Sequence, residues 1–205
     1  IQGCHVVGMT GGPEKCAQLK NEYRLHEAID YRGKSMQELA GAIKADAALV
    51  WASGDSGPVL VLADLSAATR KPVDSYDNTR LYADLEFAGT PASVIASGDA
   101  ARALALDVLA RMAVVTAHEQ VGGAEALLHI AREYAVTRKA FGQPIGQFQS
   151  IKHRIAEMYG LVEIARANCI HAAASEHSDE FLTAAADARI SATEAYDTNS
   201  RDCIQ

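Results

Sequence analysis

Arg138-Lys139-Ala140-Phe141-Gly142-Gln143-Pro144-Ile145-Gly146-Gln147-Phe148-Gln149 lies between two long segments of helical periodicity. Gly142, Pro144 and Gly146 interrupt regular structure there, because glycine accepts left-handed backbone and proline lacks a hydrogen-bond donor. The stretch predicts two antiparallel helices joined by a short turn. It also places a guanidinium, an aromatic ring and a carboxamide where regular structure stops. Arg138 closes its helix, where the macrodipole favours cations and opposes an anionic ligand. Anion binding would therefore rest on the guanidinium fork itself, which suits phosphate oxygens. Gly142 can take the left-handed position after a helix, and Pro144 keeps the helix from resuming. Phe141 can stack or fill a pocket, and Gln149 offers one acceptor and two donors to an amide or a purine edge. Read singly, each residue also has a plain account: a surface arginine, a core phenylalanine, an ordinary helix–turn–helix.

Working outward, Ala100 to about Lys139 carries Leu104, Leu109, Val114, Val121, Leu127, Leu128, Ala131 and Tyr134 as the apolar positions of one long helix. Gly122-Gly123 marks a point where that helix bends or admits another backbone. On the other side, Phe148 to about Ala174 carries Ile151, Ile155, Met158, Val162 and Ala165 at three- and four-residue spacing. A third helix from Asp179 presents Ala184, Ala188, Ser191 and Ala195, a small-residue seam suited to close helix contact. Residues 98–205 thus read as an antiparallel helix bundle lacking at least one member.

Residues 45–97 have a different grammar. Ala47 to Trp51 and Val59 to Leu62 are apolar runs around Ser53-Gly54-Asp55-Ser56-Gly57-Pro58, a hairpin signal. Leu81, Ala83, Leu85 and Phe87 alternate with polar residues, which predicts one face of a half-buried antiparallel sheet. Gly89-Thr90-Pro91 is read as the end of that sheet, and Ser97-Gly98-Asp99 as the approach to a helix. Residues 1–44 read as a short βα unit: a strand over His5–Met9, a helix after Pro13, a second strand over Ala28–Tyr31 and a helix after Ser35. The fold class expected is α+β: a βα unit, an antiparallel β segment, then an incomplete helix bundle.

The chain has 205 residues, 49% hydrophobic, enough to bury a core. Nineteen basic against 26 acidic residues give a net charge of −7, which disfavours nucleic acid and anionic membranes as partners. Cys4, Cys16, Cys169 and Cys203 are far apart and match no metal-ligand or disulfide spacing, so they read as reduced thiols of a cytoplasmic protein with no metal site. No signal region and no long apolar run is present, which leaves secretion and membrane spanning without support. Ile1 is no initiator and Gln205 falls within a helical pattern, so a fusion, a truncation or a composite is expected.

Taken as a block, Glu133 to Met158, with Arg138, Phe141, Gly142, Pro144 and Gln149 at their spacing, resembles the C-terminal helical domain of the acyl-CoA dehydrogenases. A weaker resemblance runs back to about Asp46 and forward to Ile204-Gln205, which look like the opening of that family's Gln-x-x-Gly-Gly segment. The resemblance implies FAD as cofactor, with Arg138 and Phe141 at its diphosphate and adenosine parts, Gln149 near the adenine end, and Gln205 as a further contact. It implies α,β-dehydrogenation of an acyl-CoA substrate, an electron-transferring flavoprotein as acceptor, and a homo-oligomer or heteromer in which flavin lies across the interface. One of the family's two positions for the catalytic carboxylate would correspond to Glu125; a solvated glutamate on an alanine-rich helix is its plain account. Two further readings stay open. The chain could be a catalytically silent subunit that completes a partner's flavin site. Alternatively, Val6-Val7-Gly8-Met9-Thr10-Gly11-Gly12-Pro13-Glu14-Lys15-Cys16 and Ala28-Ile29-Asp30-Tyr31 resemble the cofactor domain of zinc-independent medium-chain dehydrogenase/reductases. That would imply an NADPH-dependent reductase fragment, with Lys15 and Tyr31 at the 2′-phosphate.

Overall fold

A computed structural model of the chain describes residues 7–10, 27–30, 47–74, 76 and 82–204, the first two segments as backbone strands. Two compact units are formed, Ile1–Gly98 and Asp99–Gln205. Together they give the expected α+β class, with small sheets in one unit and long helices in the other.

In the first unit, β1 (Val7–Thr10) and β2 (Glu27–Asp30) pair in parallel, Val7 opposite Glu27 and Thr10 opposite Asp30. The helices expected after Pro13 and Ser35 lie outside the described residues. β3 (Ala47–Gly54) and β4 (Gly57–Asp64) form the expected hairpin around Asp55-Ser56, where Gly57 has a φ of 127°. A short 3-10 turn, Leu65–Ala67, is capped by the Asp64 carboxylate, which accepts from Ser66 N at 2.8 Å. β5 (Thr69–Val73) and β6 (Tyr82–Glu86) make a separate antiparallel ribbon with a Lys71–Glu86 ion pair. β7 (Ala92–Ser97) then pairs with the free edge of β4, so the three-stranded sheet runs β3-β4-β7.

Two expectations are corrected here. Gly89-Thr90-Pro91 does not end the sheet: Pro91 O accepts from Asp64 N at 2.9 Å and β7 follows at once. Val94 and Ile95 favour strand in Ala92–Ser97, and pairing with β4 completes it. Nor is β6 half-buried. All its residues are exposed, as is Phe87, because among the described residues the ribbon pairs with no other strand. Leu81 lies outside the described residues.

The second unit consists of α1 (Gly98–Thr137), α2 (Gln149–Ala174) and α3 (Phe181–Ile204) around one core. On α1 the buried face is Ala110, Val114, Ala117, Val121, Ala124 and Leu128, a strict alternation of three- and four-residue steps. Leu109 and Tyr134, expected in this face, are instead 60% and 57% exposed. Alanine alternates with larger residues along that face, and Ala184, Ala188, Ala192 and Ala195 of α3 lie in the same core. α2 buries Met158, Val162 and Ala165 as its spacing predicts, and continues the row with Cys169 and Ala172. Ser191 of α3 sits beside the seam, half-buried, and its hydroxyl accepts from Asn168 Nδ2 at 3.1 Å.

Asn199, Tyr196 and Arg111 are among the side chains that tie the helices together. Asn199 of α3 is fully buried and donates from Nδ2 to Ala124 O of α1 at 3.0 Å and to Met158 O of α2 at 3.5 Å. Tyr196 lays its ring over Gly123, where a Cβ would come within 2.6 Å of it, so α1 stays unbroken and the glycine admits a ring rather than a bend. Arg111 of α1 holds Asp107 at 2.8 Å, pairs with Glu176 in the α2–α3 loop, and stands 5.4 Å over the Phe181 ring. Among the described residues, no helix is long and apolar enough to cross a membrane.

Gly122 has open space where Gly123 has none. Gly122→Ala is expected to raise the unfolding free energy by about 0.5–1 kcal/mol, and Gly123→Ala to lower it by about 1 kcal/mol, measured by urea denaturation. The Arg111 hydrogen bond holds the Asp107 carboxyl below the usual carboxylate range. A carboxylate depressed on folding stabilises the fold above its unfolded pKa, and the effect fades as pH falls through the folded value, here below about pH 4. Asp107→Asn should therefore flatten the loss of thermal midpoint across that window and leave a smaller midpoint at neutral pH.

Candidate functional site

The break between α1 and α2 is a hairpin rather than a plain turn. Arg138 N makes the last helical hydrogen bond, to Tyr134 O at 2.8 Å. Lys139–Ala140 (β8) then pairs antiparallel with Gln143–Pro144 (β9), leaving Phe141 and Gly142 as a two-residue loop. Both have positive φ, 53° and 81°, as a type I′ hairpin turn requires. Gly142 thus serves a hairpin and not a helix end. Ile145 N closes the loop on Arg138 O at 2.8 Å.

A 3-10 turn, Ile145–Gln147, leads into α2 and presses Gly146 against α1, where a Cβ would lie 2.9 Å from Ala135 O. Phe148 is the N-cap of α2, its carbonyl accepting from Ile151 N and Lys152 N, each at 3.1 Å. Phe141 does not fill the core. Its residue is 96% exposed, and its ring meets that of Phe148 edge-to-face with centroids 6.2 Å apart.

Arg138 and Gln149 are also exposed, and neither side chain has a partner among the described residues. One short segment therefore presents an uncommitted guanidinium, a bare aromatic face and an uncommitted carboxamide. These are groups able to take phosphate oxygens, stack on a base and read a purine edge. Gln205 lies outside the described residues.

Glu125 stands elsewhere, in a groove of about 570 Å³ between α1 and α2 with Leu128, Ile155 and Val162 at its floor. Its Oε1 is held by Arg166 at 3.0 Å, and Arg166 also reaches Glu163 at 3.3 Å. Arg166 is the residue that the sequence reading missed. Its i,i+3 relation to Glu163 is visible in sequence, but the pairing with Glu125 arises only when α2 packs on α1. Along α1, Glu125 and Arg138 are ~20 Å apart at 1.5 Å per residue, so the groove and the hairpin are separate places. A larger cleft, about 750 Å³, opens between the end of α1, the start of α2 and the end of α3. Tyr134, Ile145, Ile151 and Ile204 line it beside the Arg154–Asp202 ion pair, and Arg138, Phe141 and Gln149 do not.

Residues 102–205 match the C-terminal domain of acyl-CoA dehydrogenases. The acyl-CoA dehydrogenase IpdE2 of Mycobacterium tuberculosis is 36% identical over 159 residues, 75% of this chain and 46% of that protein. Butyryl-CoA dehydrogenase from Megasphaera elsdenii superposes with a TM-score of 0.72 at 25% identity, over 78% of this chain and 45% of that one. The ChsE4-ChsE5 complex from Mycobacterium tuberculosis gives a TM-score of 0.67 at 27% identity, over 78% of this chain and 44% of that one. The chain spans less than half the length of these relatives. The reductase resemblance of residues 1–44 finds no support among them, and its Lys15 and Tyr31 lie outside the described residues.

At the hairpin tip, Gly142 has a φ of 81° and open space around it. Gly142→Ala should lower the unfolding free energy by about 1 kcal/mol through backbone strain alone, read by urea denaturation.

Proposed function

The chain belongs to the acyl-CoA dehydrogenase family, and on that premise we propose that it forms part of an FAD-dependent enzyme oxidising an acyl-CoA thioester to the 2-enoyl-CoA. The hairpin carries this reading: Arg138, Phe141 and Gln149 stand exposed on one short segment, and the chemistry of the three suits a dinucleotide. Arg138 would hold the diphosphate, Phe141 would lie against the adenosine, and Gln149 would bond the adenine edge. Gln205 is a further contact by the family resemblance. FAD, when bound, would supply the acceptor for the hydride leaving the β-carbon of the substrate. Glu125 is the candidate to accept the proton from the α-carbon onto its carboxylate, with Arg166 orienting it.

The separation of Glu125 from the hairpin supports an assembly. With ~20 Å of helix between them, the two serve different flavins or distant parts of one. A homo-oligomer, or a heteromer with a second subunit, satisfies that geometry, and an electron-transferring flavoprotein would be the acceptor. A catalytically silent subunit that lends its hairpin to a partner's flavin is the second reading. It is favoured by the commitment of Glu125 to Arg166 and by the likeness to a complex of two different chains.

Purified protein, alone and with a co-expressed partner, is expected to show flavin absorbance that an acyl-CoA bleaches under anaerobic conditions. Arg138→Ala should weaken flavin retention by at least about tenfold, as loss of a charge-assisted contact implies. Glu125→Gln should abolish bleaching if Glu125 is the base. Persisting bleaching in a Glu125→Gln heteromer would favour the silent-subunit reading, and a colourless protein under every condition would sink both.

A further inference from the structure

We propose that Phe148 is a positioning residue, whose ring holds the Phe141 ring, and with it the Phe141-Gly142 turn, in the orientation that receives the adenosine end of the dinucleotide. The inference rests on the flavin reading above. Phe141 is the one non-glycine residue with positive φ among the described residues. Left-handed backbone is unfavourable for any residue with a Cβ, and I′ turns favour Asn or Asp before the glycine. A ring so exposed gains little burial to offset that cost.

What does engage the ring is Phe148, edge-to-face with an interplanar angle of 88°. Phe148 is itself anchored. Its N–H donates to Ile145 O at 3.1 Å, its carbonyl accepts from the first turn of α2, and its side chain is half-buried. An anchored ring therefore orients an exposed one. Because Phe148 directly precedes Gln149, the pair also fixes the distance between two of the groups proposed to touch one ligand. Free of Phe148, Phe141 would have to be ordered at the moment of binding, and affinity would fall accordingly. An edge-to-face pair corresponds to a change of roughly two- to tenfold.

The test is FAD affinity of the full chain, with its partner subunit where flavin requires one, read by quenching of flavin fluorescence. Phe148→Leu should weaken binding roughly two- to tenfold, Phe148→Tyr should retain it, and Phe148→Leu should add nothing in a Phe141→Leu background. The Phe141 ring resonances should lose their ring-current shift in Phe148→Leu without ligand present. Phe148→Met, which keeps the bulk without the ring, serves if Phe148→Leu does not fold. Unchanged affinity in the Leu or Met variant, or fully additive losses in the double variant, would overturn the positioning role while leaving the flavin site intact. If Arg138→Ala and Phe141→Leu themselves leave FAD affinity unchanged, the flavin reading fails and the proposal falls with it.

Discussion

Close approach of three helices along a seam of alanines is the constraint on which the helical unit depends. Ala117, Ala124, Ala165, Ala172, Ala188, Ala192 and Ala195 are fully buried, and none offers a side chain long enough to keep the backbones apart. Each buries little apolar surface, so the stabilisation comes from many close contacts along the helices rather than from a few large anchors. The same closeness lets the short Asn199 side chain reach carbonyls on two other helices, and it lets Tyr196 rest on Gly123. A larger residue anywhere on the seam would separate the helices and break these links together.

The hairpin inherits its position from that seam. Its two strands continue the end of α1 and precede the start of α2, and Gly146 brings the connection back onto Ala135. Backbone geometry is thus tightly specified in a segment whose working side chains are exposed. Rigid support beneath exposed, uncommitted groups is the arrangement expected of a recognition surface, because a ligand then meets groups already in place. The Glu125 groove is the opposite case: its Glu125, Arg166 and Glu163 are already paired with one another.

Large, regularly spaced side chains made α2 readable, since Ile155, Met158, Val162 and Ala165 allow one helical face only. On α1 the same rule misled for Leu109 and Tyr134. That helix offers apolar residues on several sides, and Leu106, Met112 and Val115 are outward-facing as well. The packed face alternates alanine with Val114, Val121 and Leu128, so side-chain size alone does not pick it out. The antiparallel hairpin of β3 and β4 was legible from its turn residues, but β7 was not, because Gly89-Thr90-Pro91 reads as the end of a sheet even though Val94 and Ile95 favour strand. In the same way, Arg138, Phe141 and Gln149 stand out by type and spacing, whereas the Phe141–Phe148 contact and the Arg166 pairing depend on packing that no local pattern encodes.

One feature of α1 bears on how such a chain can diverge. Forty unbroken residues join the start of the helical unit to the hairpin, and each residue turns the helix by about 100°. A single deletion between Glu125 and Ala135 would swing the hairpin around the helix axis relative to the core face of α1, whereas lengthening the Asp55-Ser56 loop would disturb only a surface tip. Length variation among descendants of this chain should therefore gather in the strand connections, while α1 drifts by substitution and keeps its residue count.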